Sequence, residues 1–158
     1  IKPNRLATTF LVSIAKKIES EYFIAAFQIG DGIIALYNED DTELLSKPDR
    51  GEYKGQTRFL TSQDTFDSHE KLLERIRFAV VKNFEAILLL TDGITDPVFD
   101  DDDYKLADPI YWRSFWDEII KEALNDENPD KKLLEWLNFY HEGEHDDRTI
   151  SIINKIKN

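Results

Sequence analysis

The chain has 158 residues, 20 Lys+Arg against 32 Asp+Glu, and a formal net charge of -12. With 41% hydrophobic residues it can bury a core, which excludes global disorder. The charge sets it against nucleic acid and anionic membranes, and the absence of Cys excludes disulfides, thiolate metal sites and cysteine nucleophiles.

No apolar run approaches the roughly 18 residues of a membrane span. The chain also lacks Met, and Ile1-Lys2-Pro3-Asn4-Arg5 reads neither as a signal peptide nor as a natural start. The expectation is a single domain that is a piece of a longer protein, or a processed form. A Cys-free chain suits a reducing cytoplasm.

Leu6 to Ala15 is rich in Thr, Val, Phe and Ile and reads as a strand, with a polar turn at Lys16–Ser20. Tyr22 to Ile29 reads as a buried strand. Gly30-Asp31-Gly32 is a tight-turn signal, so Ile33 to Tyr37 is expected to form a hairpin with the strand before it. Asn38–Thr42 is a further polar turn, and Glu43–Ser46 a short edge strand. Lys47 to Asp67 has turn chemistry, with Thr57-Arg58-Phe59-Leu60 a possible extra strand.

Asp67-Ser68-His69-Glu70 fits a capping box, and Leu72, Leu73, Ile76 and Val80 follow at helical spacing, so the pattern predicts a helix over Ser68–Lys82. Glu85 to Leu90 reads as a buried strand, and the four-residue run Asp100–Asp103 as a solvated loop. Asp108-Pro109 and Asn128-Pro129 each place a cap before Pro at the first helical position. The faces behind them are Trp112, Phe115, Trp116 and Ile119, then Leu133, Trp136, Leu137 and Tyr140, with Gly143 as the stop. Trp112, Phe115 and Trp116 are expected in the core rather than in a ligand pocket. Arg148 to Ile153 alternates and reads as a last strand pairing far back in the chain. This order predicts an α+β domain with a mainly antiparallel sheet.

Asp92 is the most informative residue for chemistry. It follows a buried strand and precedes Gly, a place where backbone can approach a ligand. Asp96 is four residues on, Asp146 and Asp147 stand before the last strand, and Asp31 sits in the Gly-Asp-Gly turn. Asp is also a common turn residue, so each position alone says little. Together, acidic residues at several strand ends suggest an oxygen-rich site for Mg²⁺ or Mn²⁺.

His141-Glu142-Gly143-Glu144-His145 matches the zinc-protease pattern, which needs a continuous helix; Gly143 at a helix end argues against it. Leu88 to Gly93 resembles the first motif of the haloacid-dehalogenase phosphatases. Leu90 stands where their nucleophile belongs, and a leucine cannot attack phosphorus. Asp100–Asp103 lacks the spacing of an EF-hand loop.

Four motifs in order resemble the metal-dependent, type-2C protein phosphatase family, in its bacterial form. They are Ala7-Thr8-Thr9 before a strand, Ile29-Gly30-Asp31-Gly32, Leu89 to Asp96, and Asp146-Asp147-Arg148-Thr149-Ile150. Gly51-Glu52 with Thr57 to Leu60 adds a looser match. Ala7 replaces the family's Gly, Gly32 its Ser, and Asp147 its Asn; the Arg of the Gly-Asp turn is missing.

The family's N-terminal segment, with its phosphate-binding Arg, an early acidic ligand and the bridging Asp, has no counterpart before Ala7. The resemblance therefore covers the C-terminal portion of a catalytic domain. It implies a layered α/β/β/α sandwich of antiparallel sheets. It also implies a phosphoprotein substrate and hydrolysis by water activated between two metal ions about 3.5–4 Å apart. By the same resemblance Asp92 and Asp146 hold the first metal, and Asp31, Asp92 and Asp96 a third, weaker ion.

Such a truncated domain is expected to be inactive alone. Its exposed sheet edges should take up the missing segment or a second copy. The alternative reading is a non-catalytic, phosphatase-like binding or regulatory module.

Overall fold

The computed structural model describes residues 6–38, 42–46, 48–49, 57–99, 103–143 and 146–155. Among the described residues, seven strands form two antiparallel sheets. The first sheet has the order β1-β2-β5, from β1 (Phe10–Ile18), β2 (Glu21–Ile29) and β5 (Ile76–Val81). The second has the order β4-β3-β6-β7, from β3 (Ile33–Tyr37), β4 (Thr42–Leu44), β6 (Ala86–Leu90) and β7 (Ile150–Asn154). Five α-helices accompany them among the described residues: α1 (His69–Leu73), α2 (Asp92–Phe99), α3 (Asp103–Ala107), α4 (Pro109–Ile119) and α5 (Pro129–Leu137). The domain is α+β with antiparallel sheets, as expected.

Alternation along the strands builds two cores. Successive side chains point to opposite faces. Ile24, Ala26 and Ala79 of the first sheet therefore meet Ile34, Leu36 and Ile87 of the second. Ile33, Ala35, Tyr37, Ala86, Leu88 and Leu90 point the other way, onto Trp112, Phe115, Trp116 and Ile119 of α4. β3 and β6 are covered on both faces, which is why they read as unbroken apolar runs. The rings of Trp112, Phe115 and Trp116 are all buried, and Trp116 stacks on Tyr37 with centroids 5.4 Å apart.

The outer face of the first sheet is different. Phe10, Val12 and Ile14 of β1 and Phe78 and Val80 of β5 are exposed there, beside half-buried Phe23 and Phe27. No described helix covers them.

Two expectations fail. Ile33–Tyr37 makes no hairpin with β2. β2 pairs with β1 and β5, whereas β3 pairs with β4 and β6, so the Gly30-Asp31-Gly32 segment carries the chain from one sheet to the other. The helix expected over Ser68–Lys82 is only the five-residue α1, capped by Ser68, whose side chain accepts from the Lys71 N–H. Residues 76–81 form β5 instead, in register with β2 from Phe27↔Ile76 to Tyr22↔Val81. Ile76, Val80 and Val81 are β-branched and suit a pleated surface.

The smaller differences are local. β1 runs on to Ile18, Thr57 makes only an isolated bridge, and a 3-10 turn spans Gln63–Phe66. α5 ends at Leu137, before Gly143. A π-helical turn, Ile120–Leu124, extends α4. Gly51-Glu52, Asp100 to Asp102, Glu144 and His145 lie outside the described residues.

The cap at Asp108 forms as its sequence predicts. Its carboxylate accepts from the Ile110 N–H at 2.9 Å, and Pro109 follows at the first helical position. Asp108→Ala is expected to lower stability by about 1 kcal/mol in a urea titration, as for other N-caps.

Candidate metal centre

The acidic residues are brought together by close backbone approaches. β6 ends at Leu90, and α2 begins at Asp92. Thr91 ties this junction to the chain entering β7. Its N–H donates to the Thr149 carbonyl at 3.1 Å, and its hydroxyl donates to the Asp147 carbonyl at 3.2 Å. The same hydroxyl accepts from the Thr149 N–H at 2.9 Å.

A Cβ at position 93 would lie 2.5 Å from the Asp147 carbonyl oxygen, so glycine there lets the Asp146-Asp147 backbone pack on the start of α2. A Cβ at position 32 would lie 2.5 Å from the Leu90 carbonyl oxygen. Glycine there lets the Asp31 turn close on the end of β6.

Second contacts hold each piece. Gln28 donates from Nε2 to the carbonyls of Gly30, at 2.8 Å, and Gly32. The Thr57 hydroxyl donates to Asp31. Pro97 has no N–H to give the carbonyl four residues back, which is that of Gly93. Arg148 fills the gap: its Nε donates to the Gly93 carbonyl at 3.1 Å. Its Nη1 donates to the carbonyls of Leu137, at 3.1 Å, and Phe139. Arg148 thus locks α2, the end of α5 and the approach to β7 together. Thr57 and Arg148 carried no role in the sequence reading beyond their place in motifs.

Asp92 stands in the field of both Asp31 and Asp146. Partial burial raises the Asp92 pKa above the ordinary carboxylate range; the charges of Asp31 and Asp146 raise it further, while the Gly93 N–H works the other way. The Gly93 N–H donates to Asp92 Oδ1 at 2.8 Å. Asp146 is exposed and takes its own backbone contact, from the Asp147 N–H at 2.8 Å. Asp96 lies one turn beyond Asp92 on α2 and is half-buried. His141 lies beyond the end of α5, off any helix.

The donor set is all oxygen and all anionic, which fits a hard divalent cation, and a cation would relieve the repulsion at Asp92. Among the described residues, however, no three Asp, Glu, His or Cys side chains gather closely enough to hold an ion.

The raised pKa carries a sign. A carboxyl whose folded pKa exceeds its unfolded one adds stability that is fully present below the unfolded pKa and lost as pH rises through the folded one. In EDTA at neutral pH, ionised Asp92 therefore opposes folding. Asp92→Asn should melt higher than the parent at pH 7, with the gap closing below pH ~4, where Asp protonates. Scanning calorimetry across that range checks it; a variant that melts lower at pH 7 contradicts it.

Residues 1–138 match the family described as protein phosphatase 2C, and the chain belongs to that family. No curated protein matches it.

Two solved structures are similar. One is a point mutant of a bacterial serine phosphatase, at 16% identity and a TM-score of 0.42, covering 90% of this chain and 52% of that one. The other is the serine/threonine phosphatase Stp1 from Staphylococcus aureus, at 16% identity and a TM-score of 0.40, covering 91% and 55%. The chain spans about half the length of these structures. Among its described residues, no helix is long and apolar enough to cross a membrane.

Proposed function

We propose that this chain is the C-terminal portion of a metal-dependent protein serine/threonine phosphatase of bacterial type, working in the cytoplasm on phosphoprotein substrates. The observation that carries the reading is the packing of the Asp31 turn and the Asp146-Asp147 backbone against the β6–α2 junction that holds Asp92. Asp92 and Asp146 would hold one Mn²⁺ or Mg²⁺, with Asp31 and Asp96 beside Asp92 for a weaker ion. When bound, the ions supply the Lewis acidity for hydrolysing a phosphate monoester. The chain's own residues do the positioning. Thr57 orients Asp31, Thr91 and Gly93 bring Asp146 to Asp92, and Arg148 fixes α2.

Supplied alone, this length of chain is proposed to be inactive: by the resemblance its motifs supply ligands of the first metal only, a half-site for a two-metal reaction. A second reading is a non-catalytic binding module. The bare outer face of the first sheet and the edge strands β1, β5, β4 and β7 would accept an upstream segment or a second copy.

The test is Mn²⁺-dependent hydrolysis of a phosphothreonine peptide, by the chain alone and with the upstream segment of its gene supplied. Activity appearing only with that segment is expected. Full activity from the chain alone would overturn the half-site reading, and none in either case would favour the binding module.

A further inference from the structure

One tie at the acidic cluster repairs a break in a helix. α2 carries buried Pro97 in its interior, and proline has no N–H for the carbonyl four residues earlier. The Gly93 carbonyl, one residue after Asp92, therefore lacks its α-helical donor. Arg148 Nε supplies a donor at 3.1 Å, from 55 residues further along the chain.

Arg148 is itself firmly held. Its guanidinium lies 3.8 Å over the Phe139 ring, and Nη1 donates to the Leu137 carbonyl at 3.1 Å and to the Phe139 carbonyl. Phe139 is braced by Trp136, with ring centroids 5.6 Å apart, and the Trp136 indole N–H donates to Glu118 at 2.9 Å. A planar fork with five donors can serve three carbonyls in fixed geometry; a lysine ammonium on a flexible stem cannot.

The two ends of this bridge carry the acidic residues. Gly93 follows Asp92, and Arg148 stands two residues after Asp146. Thr91 fixes the junction at the end of β6. The Arg148 contact fixes the first turn of α2 itself, and the direction of the Asp92 carboxylate depends on that turn.

We propose that Arg148 is a positioning residue with two separable roles. Through Nε it sets the aim of Asp92 relative to Asp146; through Nη1 it staples the end of α5. The first role makes Arg148 an outer partner of a cation held by those two carboxylates. That consequence rests on the phosphatase reading; the tie to α2 does not.

Pro97 supplies the test, because Pro97→Ala returns an N–H to the Gly93 carbonyl from within the helix. Mn²⁺ affinity by calorimetric titration, and melting in EDTA, are measured for the parent, Arg148→Gln, Pro97→Ala and the double variant. Arg148→Gln is expected to weaken Mn²⁺ binding about 10–100-fold, the usual loss when the partner of a metal ligand is removed, and to lower the melting temperature. In the Pro97→Ala background the same change should cost no more than about twofold in affinity, the scatter of uncoupled pairs. It should still lower the melting temperature there, because Leu137 and Phe139 lose their donor in either background. Equal affinity losses in both backgrounds mark a structural staple only and overturn the proposal, as does an Arg148→Gln variant that binds Mn²⁺ like the parent.

The tie is also read without metal. In EDTA, the NMR resonance of the Gly93 carbonyl carbon should shift in Arg148→Gln and return toward the parent value in the double variant. An unmoved resonance overturns the tie. Both readouts of Arg148→Gln can overturn the proposal even where Pro97→Ala does not fold. A parent that binds no Mn²⁺ overturns the phosphatase reading and the metal consequence together, while the Gly93 resonance still judges the tie.

Discussion

Asp92→Asn is expected to weaken Mn²⁺ binding by on the order of a hundredfold or more, since changing a residue that merely supports a ligand already costs 10–100-fold. Asp92 is the member of the acidic group that feels both others, so its charge is the one a cation would use most fully. Calorimetric titration of the parent protein and the variant reads the change. Equal affinities would remove Asp92 from the metal site and the phosphatase reading with it. The same substitution should raise the melting temperature in EDTA. A variant that binds metal worse yet melts higher separates a lost ligand from a damaged fold.

Trp112→Ala is expected to lower stability by about 3–5 kcal/mol, the range for a large aromatic removed from a core. Trp112 is 1% exposed. Its indole N–H donates to the Leu106 carbonyl at 2.9 Å, and its own carbonyl accepts the Tyr37 hydroxyl at 3.0 Å. The Phe99 ring lies 4.5 Å away and Phe115 6.0 Å. Truncation leaves a cavity where α2, α3 and α4 meet the second sheet, and an unpaired Leu106 carbonyl. Burial already pushes the Tyr37 phenol's pKa well up, so its ring cannot compensate by ionising. Urea unfolding measures the loss; less than about 1 kcal/mol, the size of an ordinary surface change, would mean the site collapses freely.

Features that depend on neighbours in sequence were legible from residues alone. Asp108-Pro109 and Asn128-Pro129 mark the starts of α4 and α5, and the tryptophan stripe lies where its spacing puts it. The run before Asp92 is a strand because a short apolar segment between polar flanks has few other uses. Features decided by distant partners were not legible.

Leu72, Leu73, Ile76 and Val80 fit a helix at 3.6 residues per turn, while Ile76, Phe78 and Val80 equally fit a strand at two. What decides is β2, some fifty residues upstream and itself an apolar strand with an open side. The Gly-Asp-Gly turn looks like a hairpin, but nothing local says that its two flanking strands belong to different sheets. The ion pairs of Asp49 with Arg58 and Arg75 left no trace in the sequence either. These residues follow no spacing rule and meet only because β5 docks beside β2.

The outer face of the first sheet also has a consequence for bulk behaviour. At low salt, copies carrying a charge of -12 repel one another. That repulsion reaches about 10 Å at 0.1 M ionic strength and only about 3 Å at 1 M. Attraction between apolar faces such as Phe10, Ile14, Phe78 and Val80 survives the salt, and sulfate strengthens it. The chain should therefore salt out early, be held by a phenyl matrix in ammonium sulfate, and be released as the salt is withdrawn, with Phe78→Lys eluting ahead of the parent.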